Sequence, residues 1–288
     1  MFRGMKALAL VGAMFLVGCG SKGMNDSIRQ ANEGIRMYRS GQLNSAEGLL
    51  DQATKLADDN DNAWYNLGLV RTELKKWDAA VEAFQGAVKM RGENGKYQYH
   101  LGRAYLRTEP PNNQLAQQHF EKATELNPKN FKALFFLGKV YAARGKVKEA
   151  AEVWTRSASI APSNFSRSFD ELAQLYIRWD FLDEAVAVLN TGVERVTGAK
   201  EKAALYFHMG LAQQKQGKPE AAIDSYSKAL SAHAGNKNAR LQRGMVYAKL
   251  KEKEKAIADL EAFVNGGGNG DAYYKAAANQ RLFEMMAQ

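Results

Sequence analysis

Cysteine is almost absent from this chain, which has only Cys19 among its 288 residues. One thiol cannot form a disulfide within the chain, and it cannot supply a cysteine-based metal site. Proline is scarce, with five residues, and the 25 glycines are too few for a fibrous or low-complexity chain. The uncharged, mostly apolar stretch from Ala7 to Gly18 has twelve residues, whereas a helix needs about 20 to span a bilayer. These absences favour a folded protein held together by packing.

No group of residues has the spacing of a catalytic or metal-binding motif. The chain has no His-Glu-x-x-His pattern, and Tyr97 follows Gly95-Lys96 where a phosphate-binding loop needs Ser or Thr. The acidic run at 58–62 lacks the glycine and distal glutamate of a calcium loop, so a turn and a helix N-cap explain it better. We therefore predict no enzyme activity, no cofactor, no metal and no small-molecule substrate. The four histidines are predicted to lie on solvated helix faces or in loops: His100, His119, His208 and His233.

The first 19 residues have the order of an export signal. Arg3 and Lys6 form a positively charged segment, and the apolar stretch that ends at Gly18 follows it. The segment Leu16-Val17-Gly18-Cys19 resembles the processing box of bacterial lipoproteins. The resemblance implies that a signal peptide, residues 1–18, is removed and that Cys19 is acylated through its sulfur with fatty acids such as palmitate. Several acyl chains make membrane attachment stable, because each buried CH₂ contributes about 0.8 kcal/mol.

Export changes which binding partners the positive charge of the chain indicates. The formal charge is +9, and removal of Arg3 and Lys6 leaves 38 basic and 31 acidic residues, a charge of +7. Such an excess ordinarily indicates nucleic acid, but an exported protein meets lipid headgroups, cell-wall polymers and acidic protein segments instead. We predict no nucleic-acid partner. Residues 19–26 are predicted to be a short membrane tether. Gly20 replaces the aspartate that retains many enteric lipoproteins in the inner membrane, which implies the periplasmic face of an outer membrane.

A small residue followed twelve positions later by alanine recurs about every 34 residues. The clearest copy reads Trp64-Tyr65-Asn66-Leu67-Gly68, then Ala80, Phe84 and Ala87. A fixed period of this length is typical of helical hairpins that stack and share a core. Small residues would let the two helices of a hairpin approach, and rings would fill the space between hairpins. The predicted packing residues are Gly68, Gly102, Gly138, Gly210 and Gly244 on first helices, Ala80, Ala116, Ala150, Ala185, Ala222 and Ala256 on second helices, and the rings Phe84, Phe120, Trp154 and Tyr226.

This pattern resembles the tetratricopeptide repeat (TPR) family, in which W-x₂-L-G-x₂-Y is followed by A, F, A and P within 34 positions. The resemblance implies an all-α, right-handed superhelical solenoid of about seven hairpins over residues 27–270. Repeat two departs from the pattern because Arg71 replaces the usual tyrosine. Residues 271–288 are predicted to form a helix that starts at Asp271 and either caps the last repeat or docks on a partner. The seven repeats are predicted at 27–60, 61–94, 95–130, 131–164, 166–199, 203–236 and 237–270.

In this family the first helices line a concave groove, and the resemblance transfers its contact positions to repeats two to four. Rings alternate there with cations, which suits an extended peptide because rings cover apolar side chains while Lys and Arg bind carboxylates. Repeats three and four carry 11 basic and 5 acidic residues, whereas residues 165–202 carry 5 basic and 7 acidic. The predicted groove residues are Tyr65, Asn66, Leu69, Lys96, Tyr99, Arg103, Phe135 and Lys139.

Some family members clamp a C-terminal carboxylate, and this chain matches their residue set only in part. Asn66 and Lys96 fit, but Ala31 and Ile35 stand where Lys and Asn belong, and His100 replaces an Arg. The sequence therefore predicts an adaptor for envelope proteins or peptides, in pilus or secretion assembly or in the organisation of cell-wall enzymes. The alternative is a binder of anionic envelope polymer or lipid through the basic face at 95–164.

Overall fold

A computed structural model of the protein describes residues 12–266 and 272–287, with side chains from residue 22 onward. These residues form fifteen helices and no strand. Their bounds are α1 Gly12–Arg39, α2 Leu43–Leu56, α3 Asp61–Glu73, α4 Trp77–Met90, α5 Gly95–Tyr105, α6 Asn113–Leu126, α7 Phe131–Ala143, α8 Val147–Ile160, α9 Arg167–Arg178, α10 Leu182–Arg195, α11 Ala199–Lys215, α12 Pro219–Ala232, α13 Lys237–Lys249, α14 Lys253–Asn265 and α15 Ala272–Met286.

The chain divides into two compact units. Unit 1, Met1–Arg144, contains α1 to α7, and unit 2, Gly145–Gln288, contains α8 to α15. Within each unit every helix packs against the next one in the chain, and α1 also contacts α3, as α9 contacts α11. This consecutive pairing of helices confirms the predicted all-α helical-repeat fold.

Small residues bring the two helices of a hairpin together, as predicted. A Cβ atom on Gly68 would lie 2.5 Å from Cε1 of Phe84, and one on Gly210 would lie 2.4 Å from Cε1 of Tyr226. At Gly102 the nearest atom, Cε1 of Phe120, would be 3.0 Å away. These distances leave no space for a side chain, so glycine sets how closely the helices approach. The six predicted alanines are fully buried, and the four predicted rings are at most 2% exposed.

Asparagine side chains cap the N-termini of several first helices. The Oδ1 atom of Asn60 accepts a hydrogen bond from the amide of Ala63 at 3.1 Å, and Asn130 and Asn236 do the same for α7 and α13. The acidic run at 58–62 is therefore a turn and an N-cap, as predicted. Helices α6 and α8 end shortly before Pro128 and Pro162, since a residue that precedes proline disfavours helical backbone.

Arg71 replaces the usual tyrosine of the repeat and connects two helices of unit 1. Its guanidinium lies 3.4 Å from carboxylate oxygens of both Glu47 and Asp51 on α2. It also donates to the carbonyl oxygen of Ala79 at 3.0 Å. The departure from the repeat pattern thus replaces an aromatic contact with a network of ion pairs between hairpins.

The two ends of the chain contain the predicted lipid anchor and the predicted C-terminal capping helix. Residues 1–11 of the predicted signal peptide and the side chain of Cys19 lie outside the described residues, as does Asp271. Helix α15 packs against α13 and α14, with Ala278, Leu282 and Met285 buried. Tyr274 at its first turn is 50% exposed. None of the helices in the described ranges combines the length and apolar character that a membrane crossing requires.

Candidate functional site

The eight predicted groove residues all lie on three first helices of unit 1. Helix α3 carries Tyr65, Asn66 and Leu69, α5 carries Lys96, Tyr99 and Arg103, and α7 carries Phe135 and Lys139. Helical spacing of three or four residues places those on one helix along one face. The aromatic members are buried: Tyr65 is 5% exposed, Tyr99 8% and Phe135 4%. A ligand could therefore meet only the edges of these rings, and the polar residues form the accessible surface.

Packed aromatic rings form a continuous layer under this surface. The ring of Tyr65 stacks on Tyr97 with a centroid distance of 4.9 Å. Farther along, Tyr99 lies 6.1 Å from Phe136, which stacks on Phe120 at 5.8 Å. Such contacts favour offset and edge-on arrangements and hold the rings in fixed positions. The layer thus provides a rigid base for the charged groups above it.

Cationic groups lie over the faces of these rings. The Nζ atom of Lys96 is 4.5 Å from the centroid of Tyr65, and the guanidinium carbon of Arg103 is 5.6 Å from Tyr99 and 5.4 Å from Phe136. Lys139 lies 6.0 Å from the ring of Phe135. Contacts between cations and aromatic faces stabilise these positions by about 0.5–1 kcal/mol each at exposed sites. The aromatic layer therefore orients the cations without neutralising them.

Three cations of this surface lack a carboxylate partner in the described part of the chain, including Lys132 on α7, whose Nζ lies 5.8 Å from the ring of Phe131. Among the residues that the structure describes, Lys96, Arg103 and Lys132 form no ion pair with Asp or Glu. The nearby carboxylate of Asp61 is already engaged, because the Tyr97 hydroxyl donates to it at 2.7 Å and Arg91 lies 3.3 Å away. The site consequently presents uncompensated positive charge.

His100 lies within the aromatic layer, so the prediction that it lies on a solvated face or in a loop was wrong. Its ring is 5.3 Å from Tyr65, 5.0 Å from Tyr99 and 5.6 Å from Phe84. Its Nε2 atom is 3.2 Å from the Tyr65 hydroxyl. Burial is the main cause that lowers the pKa of His100 to about 3, and the positive charges of Arg103, Lys96 and Lys132 lower it further. His100 is thus neutral at pH 7 and adds no charge to the groove.

The other histidines also make specific contacts. The Nδ1 atom of His119 is 2.7 Å from Oε1 of Gln98, and its ring stacks on Tyr105 at 5.5 Å. Burial lowers the pKa of His119. In unit 2, Nδ1 of His208 lies 2.5 Å from Oδ1 of Asp170. Helical periodicity could not show these positions, since it reports which face a residue occupies but not what covers that face.

A cleft beside the predicted residues was missed by the sequence-based prediction. It has a volume of about 660 Å³ and adds the α1 side chains to those of α3 and α5. Asn32 and Ile35 occupy the sixth and ninth positions of repeat one. These are among the contact positions that the prediction used in repeats two to four, so their use in repeat one would have identified both residues. The cleft is lined by Asn32, Ile35, Arg36, Arg39, Asn62, Tyr65, Asn66, Asn94, Lys96 and Tyr97.

Amide side chains and cations dominate this cleft. Four asparagines line it, and the Asn66 amide already donates to the backbone carbonyl oxygen and Oδ1 of Asn62, each at 2.8 Å. Its oxygen Oδ1 can still accept, and such amides can pair with a peptide backbone in either direction. Metal binding is not suggested by this geometry: in the described part of the chain, no three His, Cys, Asp or Glu side chains are grouped to hold an ion.

Two family models match the chain. The model described as the TPR domain of cytochrome c-type biogenesis protein H matches residues 50–168. This range includes all eight predicted groove residues. A second model, described as tetratricopeptide repeat, matches residues 207–272.

Individual proteins show the same similarity. A TPR repeat-containing protein of Methanocaldococcus jannaschii is 28% identical over 152 residues, 50% of this chain and 26% of that protein. The chain spans 35% or less of the length of the first curated relatives that it matches. A tetratricopeptide repeat protein from Parabacteroides merdae has a solved structure with a TM-score of 0.59 at 19% identity, over 91% of this chain and 99% of that one. PilW, described as a widely conserved type IV pilus biogenesis factor, has a TM-score of 0.56 at 20% identity, over 71% and 92%. At these identities the two structures show a shared fold.

Proposed function

The chain belongs to the tetratricopeptide repeat family, and from this premise we propose that it is a non-catalytic adaptor that binds acidic segments of other proteins. The groove of unit 1 is the proposed binding surface. The observation that carries this proposal is the set of cations Lys96, Arg103 and Lys132, which lie over aromatic rings and form no ion pair with a described carboxylate. A ligand with carboxylates would supply the missing negative charge.

The groove residues would make three kinds of contact with a ligand. Lys and Arg side chains would bind ligand carboxylates through charge-assisted hydrogen bonds. Asparagine amides such as Asn32 and Asn66 would pair with the ligand backbone, because each amide offers both donors and an acceptor. The edges of Tyr65 and Tyr99 would contact apolar side chains of the ligand. An extended acidic peptide with interspersed apolar residues fits all three.

The proposed cellular setting is the bacterial envelope. Cys19 would carry the lipid anchor, because it ends the apolar segment in the order expected of a lipoprotein signal. We place the adaptor on the outer membrane, facing the periplasm, on the basis of Gly20 after that cysteine. Similarity to PilW and to the TPR domain of cytochrome c-type biogenesis protein H supports a role in the assembly of other envelope proteins. Pilus or secretion assembly and the organisation of cell-wall enzymes both agree with such a role.

Charge-neutralising substitutions in the groove would test the proposed surface. The probe is a fluorescein-labelled octapeptide that alternates Asp or Glu with Leu and Phe. We expect Lys96→Gln and Arg103→Gln each to weaken its binding roughly tenfold, since a hydrogen bond to a charged group contributes about 1.5–3 kcal/mol. Fluorescence anisotropy at physiological salt measures the affinity. Tyr99→Ala and Phe135→Ala are less informative, because those rings are 8% and 4% exposed and also hold the core.

Lys89→Gln is the matched control for these substitutions. It removes one positive charge from α4, the second helix of repeat two, and Lys89 is exposed. We expect this control to change peptide affinity less than twofold, roughly the effect of a distant screened charge. If Lys89→Gln weakens binding as much as Lys96→Gln does, the attraction is diffuse and the groove is not the site.

A second candidate function is binding of an anionic envelope polymer or lipid by the same basic surface. The excess of cations on α5 and α7 favours this candidate as well. Salt dependence separates the two, because a polyanion releases bound counterions and its affinity falls steeply as salt rises. A peptide that also uses ring edges and amides should keep most of its affinity between 50 and 300 mM salt, a range of about 14 to 6 Å in screening length.

The lipid anchor has a separate test. In a bacterium fed with labelled palmitate, the full-length chain should incorporate the label and fractionate with membranes. The Cys19→Ser variant should lose the label, because no other cysteine is present in the chain. Retention of acyl label by this variant would exclude Cys19 as the anchor.

A further inference from the structure

A second, smaller cleft lies in unit 2 and shares no residue with the groove described above. It has a volume of about 320 Å³ and is formed by the end of α13, the turn to α14, the first residue of α14 and the second half of α15. Its lining residues are Ala248, Lys249, Lys251, Lys253, Arg281, Glu284 and Met285. Four of these seven side chains are cationic and one is anionic. The cleft therefore concentrates positive charge contributed by three helices and a turn.

The lysines of this cleft differ from Lys255, which lies two residues after Lys253 on α14. Lys255 forms an ion pair with Glu252, and its Nζ lies 5.4 Å from the ring of Tyr247. Within the described ranges, by contrast, Lys249, Lys251 and Lys253 have no ion-pair partner. Lysines that line one cleft and have no carboxylate partner repel one another, so an anion bound there would relieve that repulsion.

Arg281 of α15 is held in place by two hydrogen bonds. Its Nη1 group donates to Oε2 of Glu284 at 2.9 Å, and its Nη2 group lies 3.4 Å from the carbonyl oxygen of Ala248. The second oxygen of Glu284 accepts from the amide of Gln280 at 3.2 Å. The single acid of the cleft is thus committed to orienting the guanidinium. The remaining N–H groups of Arg281 keep a planar donor geometry that suits oxyanions.

The backbone of the turn places Lys251 at a position that usually favours glycine. Lys251 has φ of +61°; three equivalent turns of the chain have Gly41, Gly145 or Gly217 with φ between +72° and +79°, and two others have Lys75 or Asp180 with φ of +58° and +63°. This turn therefore presents a charged side chain beside the cleft. Lys253 follows as the first residue of α14, whose N-terminus has no side-chain cap. The amide groups of this first turn add to the positive potential.

From this arrangement we infer that the cleft is a binding site for a phosphate-bearing anion. Three ammonium groups and one oriented guanidinium line the same cleft, which suits the tetrahedral oxygens of a phosphate group. A carboxylate, with its two oxygens in one plane, would engage fewer of them. A phospholipid headgroup and free inorganic phosphate share this chemistry. The inference does not depend on the proposed peptide groove, since the two sites have no residue in common.

Calorimetric titration of the full-length protein in a neutral detergent tests this inference. The probes are inorganic phosphate, glycerophosphoglycerol as a phosphodiester headgroup without acyl chains, and acetate as a carboxylate. Low ionic strength keeps screening small. We expect at least one phosphate probe to bind at least tenfold more tightly than acetate. Tighter binding of the diester would identify a lipid headgroup as the source, and tighter binding of inorganic phosphate would identify the free ion.

Two lysine substitutions complete the test. Lys251→Gln should weaken binding of the phosphate probe about tenfold, as expected for a charge-assisted hydrogen bond. Lys255→Gln is the matched control, because it removes an equal charge from a lysine that already has a partner outside the cleft, and it should leave affinity within twofold. Thermal melting followed by circular dichroism should be unchanged in both variants. The inference would be overturned by equal losses in the two variants, by acetate binding as tightly as phosphate, or by no phosphate binding at millimolar concentrations.

Discussion

Repeats three and four of unit 1 and repeat five of unit 2 use the same packing positions on their first helices but carry different chemistry. At the fifth and sixth positions of repeats three and four, unit 1 has rings beside histidine or phenylalanine, with Lys96, Arg103 and Lys132 next to them. At the corresponding positions of repeat five, unit 2 has Asp170 and Glu171. In unit 1 the cations lie over rings and lack carboxylate partners in the described residues, whereas in unit 2 Asp170 already contacts His208.

This difference shows which positions of a repeat are free to specify a ligand. Glycine and alanine at the contacts between paired helices serve the same purpose in both units, since any added atom would collide with a buried side chain. The exposed groove positions, such as Lys96 and Lys132, lie outside this packing and can vary, whereas the buried groove rings also hold the core. Unpaired charge at the exposed positions of unit 1 supports the proposed binding, and the pairing of Asp170 with His208 indicates that repeat five of unit 2 uses the corresponding position for stability.

The largest expected effect concerns the glycines that contact a buried ring in both units. Gly68→Ala in unit 1 and Gly210→Ala in unit 2 would each place a Cβ within 2.5 Å of a buried ring. We expect each change to lower the free energy of unfolding by about 1–3 kcal/mol, as overpacking does. Urea denaturation followed by circular dichroism measures it. Similar losses in both units would establish that the packing rule is common to them.

Gly48→Ala provides the control for this comparison. Gly48 lies on α2 with no atom within 4 Å of the position of a Cβ. Alanine there should stabilise the protein by about 0.5–1 kcal/mol, because glycine is a poor helix former. A loss of stability at Gly48 equal to that at Gly68 would show that close helix contact is not what requires glycine.

The second prediction concerns the polar pair of unit 2. Oδ1 of Asp170 and Nδ1 of His208 are buried and have no other hydrogen-bond partner in the described part of the chain, and the Gln174 amide donates to Oδ2 at 2.9 Å. Asp170→Ala should therefore cost about 1–2 kcal/mol of unfolding free energy, since it leaves buried donors unpaired. Asp183→Ala, which removes an exposed acceptor for Gln216, should cost less than about 0.5 kcal/mol. Equally small losses of unfolding free energy in the Asp170→Ala and Asp183→Ala variants would mean that the Asp170–His208 pair does not stabilise the protein.

The third prediction uses the neutral histidine of unit 1. The pKa of His100 is about 3 in the folded protein, so below pH 6.5 the unfolded chain takes up a proton that the folded chain does not. Stability is therefore fully present above the unfolded pKa and is lost as pH falls from 6.5 toward 3. We expect the wild-type protein to lose about 1 kcal/mol more than a His100→Gln variant between pH 6 and pH 5.

Comparing the two proteins at each pH removes the effect of other groups. Carboxylates titrate in the same range, but they are the same in both proteins, so only the difference in unfolding free energy reports on His100. Urea denaturation at half-unit pH steps measures this difference. A difference that stays constant from pH 6.5 to pH 4.5 would contradict the burial of His100 as the cause of acid sensitivity in unit 1.

Much of the fold could be predicted from the sequence, because the repeat is made of local rules. Gly68 was expected to let α3 and α4 approach, which is confirmed, and the ring of Phe84 was expected between hairpins. That ring packs on Gly68 within its own hairpin and lies 5.6 Å from the ring of His100 in the next one. Helices α6 and α8 end two residues before Pro128 and Pro162, which is also a local rule. The prediction for His100 was wrong, because the solvation of His100 depends on rings from α3, α4 and α5 that periodicity does not place.

The residues of the candidate site were proposed from the sequence, whereas their geometry came only from the structure. Lys96 and Arg103 were identified from their positions in the repeat, yet their orientation over Tyr65 and Tyr99 follows from packing between helices. The α1 side of the large cleft and the whole basic cleft of unit 2 were missed. Lys251 and Arg281 are thirty positions apart, so only the packing of α15 against α13 and α14 makes them neighbours.

The sequence by itself determined the repeat, its period and the residues that pack its helices, because those depend on side-chain size at fixed spacing. It also determined the total charge and the candidate anchor at Cys19. The tertiary structure alone decided which charges are neutralised, which rings are buried and which cations share a cleft. The physical reason is that charge compensation and burial depend on distances between helices, and these distances arise only when the hairpins stack.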